Sequence, residues 1–244
     1  MTYNVKSHKA LHRADGVAAI AREVATQDPD ILVMQDADGL LPGAMTGIDH
    51  DAAVFGYREV YAAGQYVVAS RFPLSDCVHK TLGPSGDDAL FVTCVVEVRG
   101  TRLSLVTAHF ESPREGLNAT RHEGLEGFAT WRRNYANRLA QSKVLASALA
   151  AVQRPLIVAG DLNAPETSWV VSRLLAAGLR DAFPAAGRGY GYTYGHALRT
   201  GFSFLRIDHI LVSPGVELTD CTVGTEDASD HRPVIADIAL TPLR

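Results

Sequence analysis

The sequence is poor in cysteine, in net charge and in long apolar runs, and each shortage excludes something. Cys77, Cys94 and Cys221 are its three thiols. An odd count at wide spacing argues against a disulfide framework and against a zinc knuckle. Cys94 lies in an apolar stretch and is expected to be a small core residue. Lys and Arg number 23 against 27 Asp and Glu, a net charge of −4. Such a chain has no general attraction for nucleic acid or anionic membrane. To act on a polyanion it would need a local basic surface and a metal to neutralise phosphate. No apolar run reaches membrane-spanning length. The nearest, Val144–Ala159, is cut by Gln153, Arg154 and Pro155. No signal peptide is evident. The chain begins almost inside its first strand, which leaves room for a leader or anchor removed upstream. Repeats, low-complexity segments and Pro/Ser linkers are missing too, so residues 1–244 read as one domain.

What is present is core material, 47% hydrophobic with 20% charged residues. The chain is organised around Pro155–Ala164, PLIVAGDLNA. Leu156–Ala159 leave no polar face and predict a buried strand. Gly160 breaks the run, and Asp161 and Asn163 follow. A carboxylate and a carboxamide at the carboxyl end of a buried strand can hold a hard cation and a phosphate oxygen. An Asx-turn that merely ends the strand is the competing reading.

Other segments repeat this design. Met1–Val5 is a short strand ending near Asn4, and Lys6–Arg13 reads as a polar loop. Val17, Ile20, Ala21 and Val24 have helical spacing after Asp15, a candidate N-cap, and Asp28-Pro29-Asp30 stops that helix. Ile31–Met34 is a second apolar strand, closed by Gln35-Asp36. Residues 37–60 read as loop with some helix. Gln65–Ser70 is a strand. Leu90–Val98 and Arg102–His109 predict an antiparallel hairpin. Glu111–Asn137 has no strand pattern and is too long for an ordinary connection, so it is functional or partly helical. An amphipathic helix follows, marked by Ala140, Val144, Leu145, Ala148, Leu149 and Val152. After Asn163 a helix is expected, with Pro165 in its first turn and Gly178 at C′. Residues 181–205 are a Gly- and aromatic-rich loop. Arg206–Val212 and Val234–Leu240 are strands, the latter preceded by Ser229–Pro233. Two packed mixed sheets with outer helices, an α/β sandwich, accommodate these strands economically.

Polar residues of matched chemistry therefore gather at strand ends: Asn4, Gln35-Asp36, His109, Asp161 with Asn163, and Asp208 with Asp230-His231. Any one is a turn residue by default, but a sandwich brings all of them to one rim.

With TYNV at 2–5, PDILVMQD at 29–36, SRFPL at 70–74, TAHFES at 107–112, GDLNA at 160–164, RIDHILVS at 206–213 and SDHRPV at 229–234, the chain resembles the endonuclease/exonuclease/phosphatase superfamily. That family includes deoxyribonucleases, apurinic endonucleases, neutral sphingomyelinases and inositol phosphatases. The resemblance implies a four-layered α/β sandwich and divalent-metal-dependent phosphoester hydrolysis. It implies metal-side roles for Asn4, Asp36 and Asp230, and phosphate contacts for His109 and Asn163. It also gives Asp161 the attacking water, and makes Asp208 the partner that orients His231. The cofactor so implied is Mg²⁺, with Mn²⁺ or Ca²⁺ as alternatives. Asp36 departs from the pattern, since the family has glutamate there. Its carboxylate falls ~1.5 Å short, so the ion must shift or a water must fill the gap.

Substrate class is carried by weaker signals. Arg114, Arg121, Arg132 and Arg133 could meet phosphates, and Trp131, Tyr192 or Tyr194 could stack on a base. Solvated arginines are the plain alternative. These residues favour a DNA nuclease acting as a monomer, with no stable protein partner and no membrane. A small-molecule or lipid phosphoesterase of the same fold, and a binding module disabled at Asp36, are the other readings.

Overall fold

Each continuous apolar run becomes a strand with its two faces in different cores. Ile157 and Ala159 enter one buried cluster, while Leu156 and Val158 enter another. Val33 likewise faces the first cluster, and Leu32 and Met34 face a third. A strand covered on both sides has no use for a polar face, which is why the runs are unbroken.

The computed structural model describes residues 1–41, 45–83, 89–198, 201–225 and 228–241. The amino-terminal half contributes β1 (Thr2–Asn4), α1 (Ser7–Ala10), α2 (Gly16–Gln27), β2 (Ile31–Gln35), β3 (Gly47–Asp49), β4 (Glu59–Ala63) and β5 (Tyr66–Ser70). Then come β6 (Leu74–Thr81), β7 (Leu90–Val98), β8 (Thr101–Ala108), α3 (Arg114–Glu123), α4 (Leu125–Leu149) and β9 (Leu156–Asp161). The rest is α5 (Trp169–Ala176), β10 (Arg180–Asp181), α6 (Ala182–Ala186), β11 (Asp208–Val212), β12 (Val216–Val223) and β13 (Val234–Leu240).

The strands form a seven-stranded sheet, β12-β13-β1-β2-β5-β4-β3, and a six-stranded sheet, β10-β11-β9-β8-β7-β6. Both are mixed. β1 runs parallel to β2 and antiparallel to β13, and β9 runs parallel to β8 and antiparallel to β11. Tyr66, Val68, Val92, Val96, Leu103, Leu105 and Ile210 pack between the sheets. Ile20 and Val24 of α2 cover the outside of the first sheet. Leu145 and Leu149 of α4, with Val170, Val171 and Leu174 of α5, cover the outside of the second. This is the expected four-layered α/β sandwich. Buried polar ties fix how the sheets face one another. The Gln35 amide donates to Thr2 Oγ1 at 3.1 Å and, across the gap, to Thr107 Oγ1 at 3.0 Å.

Several local expectations are corrected. Cys77 and Cys94 are joined in a disulfide, with Cα atoms 4.1 Å apart. They belong to adjacent antiparallel strands, and Cys77 falls in the register irregularity between Ser75 and Val78. Sequence spacing could not reveal this, because β6 had no recognisable pattern. Lys6–Arg13 contains the short helix α1 rather than only loop. The segment 37–60 holds β3 and the start of β4, and no helix among its described residues. The helix after Asn163 starts at Trp169, where the Ser168 side chain accepts from Val171 N–H. Pro165 lies upstream of it. Asp15 precedes α2 without a side-chain capping bond. Gly178, at φ +86°, does occupy the left-handed position after α5.

Candidate active site

The site lies where the carboxyl ends of β1, β2, β8 and β9 meet the start of β11 and the segment before β13. Asp208 opens its strand rather than closing it. Because β11 is antiparallel to β9, with Asp208 opposite Asp161, it reaches the same rim. Gly160 lets β9 approach β8 closely, since a Cβ there would lie 2.0 Å from the Ala108 carbonyl oxygen.

Asp161 is fully buried at the centre. It accepts from Asn4 Nδ2 and from Asn163 N–H, each at 2.9 Å. His109 Nε2 lies 3.4 Å away and His231 Nε2 3.8 Å away. Burial alone would raise its pKa, but the charge of His231 and the bond from His109 outweigh burial and hold it well below the ordinary range. His231 Nδ1 faces both oxygens of Asp208, at 3.0 and 3.2 Å. Its ring packs against Tyr194, with centroids 4.9 Å apart. Burial pulls the imidazole pKa down, but Asp208 and Asp161 prevail and push it up to about 9. His231 is therefore cationic at neutral pH, suited to donating a proton or stabilising developing negative charge.

That shift has a stability consequence. The pKa of 6.5 for an unperturbed histidine lies below the folded value of about 9. Protonation therefore stabilises the fold fully below pH 6.5, and the benefit is lost as pH rises through 9. Urea unfolding of the metal-free protein is expected to show declining stability across that window. His231→Ala should lack that component, and an unchanged slope would refute the assignment.

His109 is held from behind. Its backbone N–H donates to the Tyr66 hydroxyl at 2.8 Å, and its Nδ1 meets Gln65 Oε1. Asn163 is left-handed at φ +48°. Its Nδ2 donates to the Phe110 carbonyl at 2.8 Å and approaches Asp161 at 3.4 Å, so here the amide braces the loop. Arg138 of α4 donates to the Asn163 carbonyl. Asp36 and Asp230 are each paired with a lysine. Lys6 donates to Asp36, and Lys9 Nζ lies 2.6 Å from Asp230. Burial raises both carboxyl pKa values. His109 and Lys6 outweigh it at Asp36, the Lys9 bond does so at Asp230, and both end below the ordinary range.

A divalent ion suits this chemistry. Asp230 Oδ1 is buried with no hydrogen-bond partner, an oxygen suited to a hard cation. Asp161, Asp208 and His231 also lie close enough together to hold an ion, with ligand atoms within 4.8 Å of one another.

The weaker candidates separate. Arg114, exposed, donates to the Tyr194 hydroxyl and so approaches His231 through one intervening ring. Trp131 lies on α4, stacked between Phe128 and Tyr135 at 5.3 and 6.0 Å. Arg132 is exposed on the same helix, and no contact among the described residues ties it to the rim. Sequence reading missed Lys6, Lys9, Gln65 and Arg138. Only Lys6, two residues beyond Asn4, was close enough to a motif to have drawn notice.

The layering defines an α/β sandwich, and its rim of carboxylate, carboxamide and imidazole groups is suited to hold a divalent ion. Residues 1–231 match the model of the Endonuclease/Exonuclease/phosphatase family, and the chain belongs to that family. Its structural relatives are similar in fold at low identity. A mannosyl-6-phosphatase from Bacteroides thetaiotaomicron is 18% identical with a TM-score of 0.65, covering 98% of each chain. The human Nocturnin catalytic domain with bound sulfate is 18% identical at TM-score 0.66, covering 98% of this chain and 91% of its own. A humanized D. rerio TDP2 is 18% identical at TM-score 0.66, covering 98% of this chain and 97% of its own. No curated protein sequence matches the chain.

Proposed function

We propose that the protein is a divalent-metal-dependent phosphodiesterase acting on DNA. The observation that carries the reading is the line Asp208–His231–Asp161–Asn4, in which His231 is paired through Nδ1 with Asp208 and sits 3.8 Å from the buried Asp161 carboxylate, itself held by Asn4. Asp36 and Asp230, with Asn4, would hold the metal, which supplies positive charge against the phosphate and the leaving oxygen. Asp161, fixed by two amide donors, orients an attacking water. Asp208 accepts from His231 Nδ1–H and favours the imidazolium, so that Nε2–H faces the reacting phosphate. His109, braced by Gln65 and Tyr66, offers Nε2 to a phosphate oxygen.

A polynucleotide is favoured by the Arg114–Tyr194 pair beside His231 and by the aromatic stack of Phe128, Trp131 and Tyr135. The net charge of −4 favours a small phosphoester instead. A hydrolysis panel separates them: plasmid DNA, RNA, abasic duplex, bis-p-nitrophenyl phosphate, a lipid phosphodiester and a sugar phosphate, each with Mg²⁺, Mn²⁺ or EDTA. Cleavage of DNA with metal and none in EDTA is expected. Full activity in excess EDTA overturns the metal reading, and turnover of the sugar phosphate alone overturns the substrate.

A further inference from the structure

Lys6 and Asp36 both turn left-handed just beyond the ends of neighbouring strands. Parallel strands β1 and β2 end in register, Asn4 opposite Gln35. Lys6 then adopts φ +46° and Asp36 φ +50°, both left-handed. Val5 N–H donates to the Gln35 carbonyl at 3.0 Å, and Ser7 N–H to the Asp36 carbonyl at 2.8 Å. Non-glycine residues persist in that region when their surroundings over-determine them. The outcome is a Lys6 ammonium set on the Asp36 carboxylate, with side chains only 19% and 22% exposed. Lys9, on the helix that Lys6 starts, reaches Asp230 in the same way. Asp36 and Asp230 thus each face a lysine ammonium.

A divalent ion seeks the same oxygens. If it reaches Asp36, it meets an ammonium already there, and the two cations repel at short range in a partly buried, weakly screened setting. The one oxygen of these two carboxylates that is buried and unpartnered is Asp230 Oδ1, which marks where an ion meets least competition. We propose that Lys6 and Lys9 are resident counter-ions of the metal-side carboxylates, and that Lys6 sets the divalent-ion affinity of the site by competing for Asp36. This rests on the placement of the ion at Asp36 and Asp230 proposed above.

Calorimetric titration of the whole, metal-stripped protein with Mn²⁺, without substrate, tests it. Lys6→Met is expected to tighten Mn²⁺ binding about tenfold, since it removes a full neighbouring charge. Lys6→Arg, which keeps the charge, should stay near wild type. Lys9→Met should gain less, because Lys9 is half exposed and leaves Asp230 Oδ1 free. Thermal unfolding reports whether each variant folds, and Lys6→Gln replaces Lys6→Met if the latter does not. Wild-type binding that Lys6→Met or Lys6→Gln fails to tighten overturns the inference alone. Equal tightening by Lys6→Arg does the same, because it would trace the effect to shape rather than charge. Mn²⁺ binding by none of the proteins overturns both the inference and the metal placement beneath it.

Discussion

Asp208→Asn is expected to lower turnover by about 10²–10⁴ while leaving the fold intact. Asp208 is 1% exposed, and its two oxygens take up His231 Nδ1. An asparagine of the same size can turn its amide N–H toward Nδ1 and so place the ring proton on Nε2, or leave Nδ1 donating to a neutral oxygen. In either case the main attraction raising the His231 pKa is gone. His231→Ala should cost a similar factor by removing the proton donor outright. Single-turnover rates measure the loss, and circular dichroism checks the fold. Near-wild-type turnover in Asp208→Asn would remove the pair from the mechanism.

Asp36→Ala should abolish activity at ordinary Mg²⁺, with partial recovery at high metal, because the lost interaction is chiefly with the ion. Asp36→Glu is the more informative change. Lengthening the side chain restores the reach of the family's usual glutamate, and on length alone affinity should improve. The backbone argues otherwise. Asp36 is left-handed, a conformation aspartate tolerates better than glutamate. Its carboxylate is also fitted to Lys6. A longer side chain must then either strain the turn or push the ammonium aside. Turnover should therefore fall in Asp36→Glu. A lower half-saturating Mg²⁺ with higher turnover would show that the pocket still suits glutamate.

Asp36 also shows what sequence could convey. Its substitution was visible as a missing methylene, but its handedness and its lysine were not, because a left-handed residue carries no local signal when it is not glycine. His109, Asp161 and Asp208 were legible because each adjoins an apolar run that both sheet faces cover, and His231 because it stands in SDHRPV just before a strand. β4, β6 and β12 escaped notice. In β6 and β12 most residues between Leu74 and Thr81, and between Val216 and Val223, face solvent or are only half buried, so no apolar pattern announces them. The Cys77–Cys94 bond escaped with β6. Arg138 and Gln141 lie on α4 with the spacing of ordinary helix-surface residues. Only the fold shows that they are buried against Asn163 and Glu111.

The placement of β1 governs when this protein can act. Strand Thr2–Asn4 is made long before β13, which closes one of its edges. The Asn4 carbonyl accepts from Ser229 Oγ across 225 residues, and its amide reaches Asp161 across 157. A nascent chain that has not yet emerged past His231 lacks both the proton donor and the strand that pins β1. Such a chain is expected to be catalytically silent however well its middle has folded. Premature termination or carboxyl-terminal trimming before that point should yield inert fragments rather than weak hydrolases. For an enzyme proposed to cut DNA, the order of translation thus acts as a safety catch.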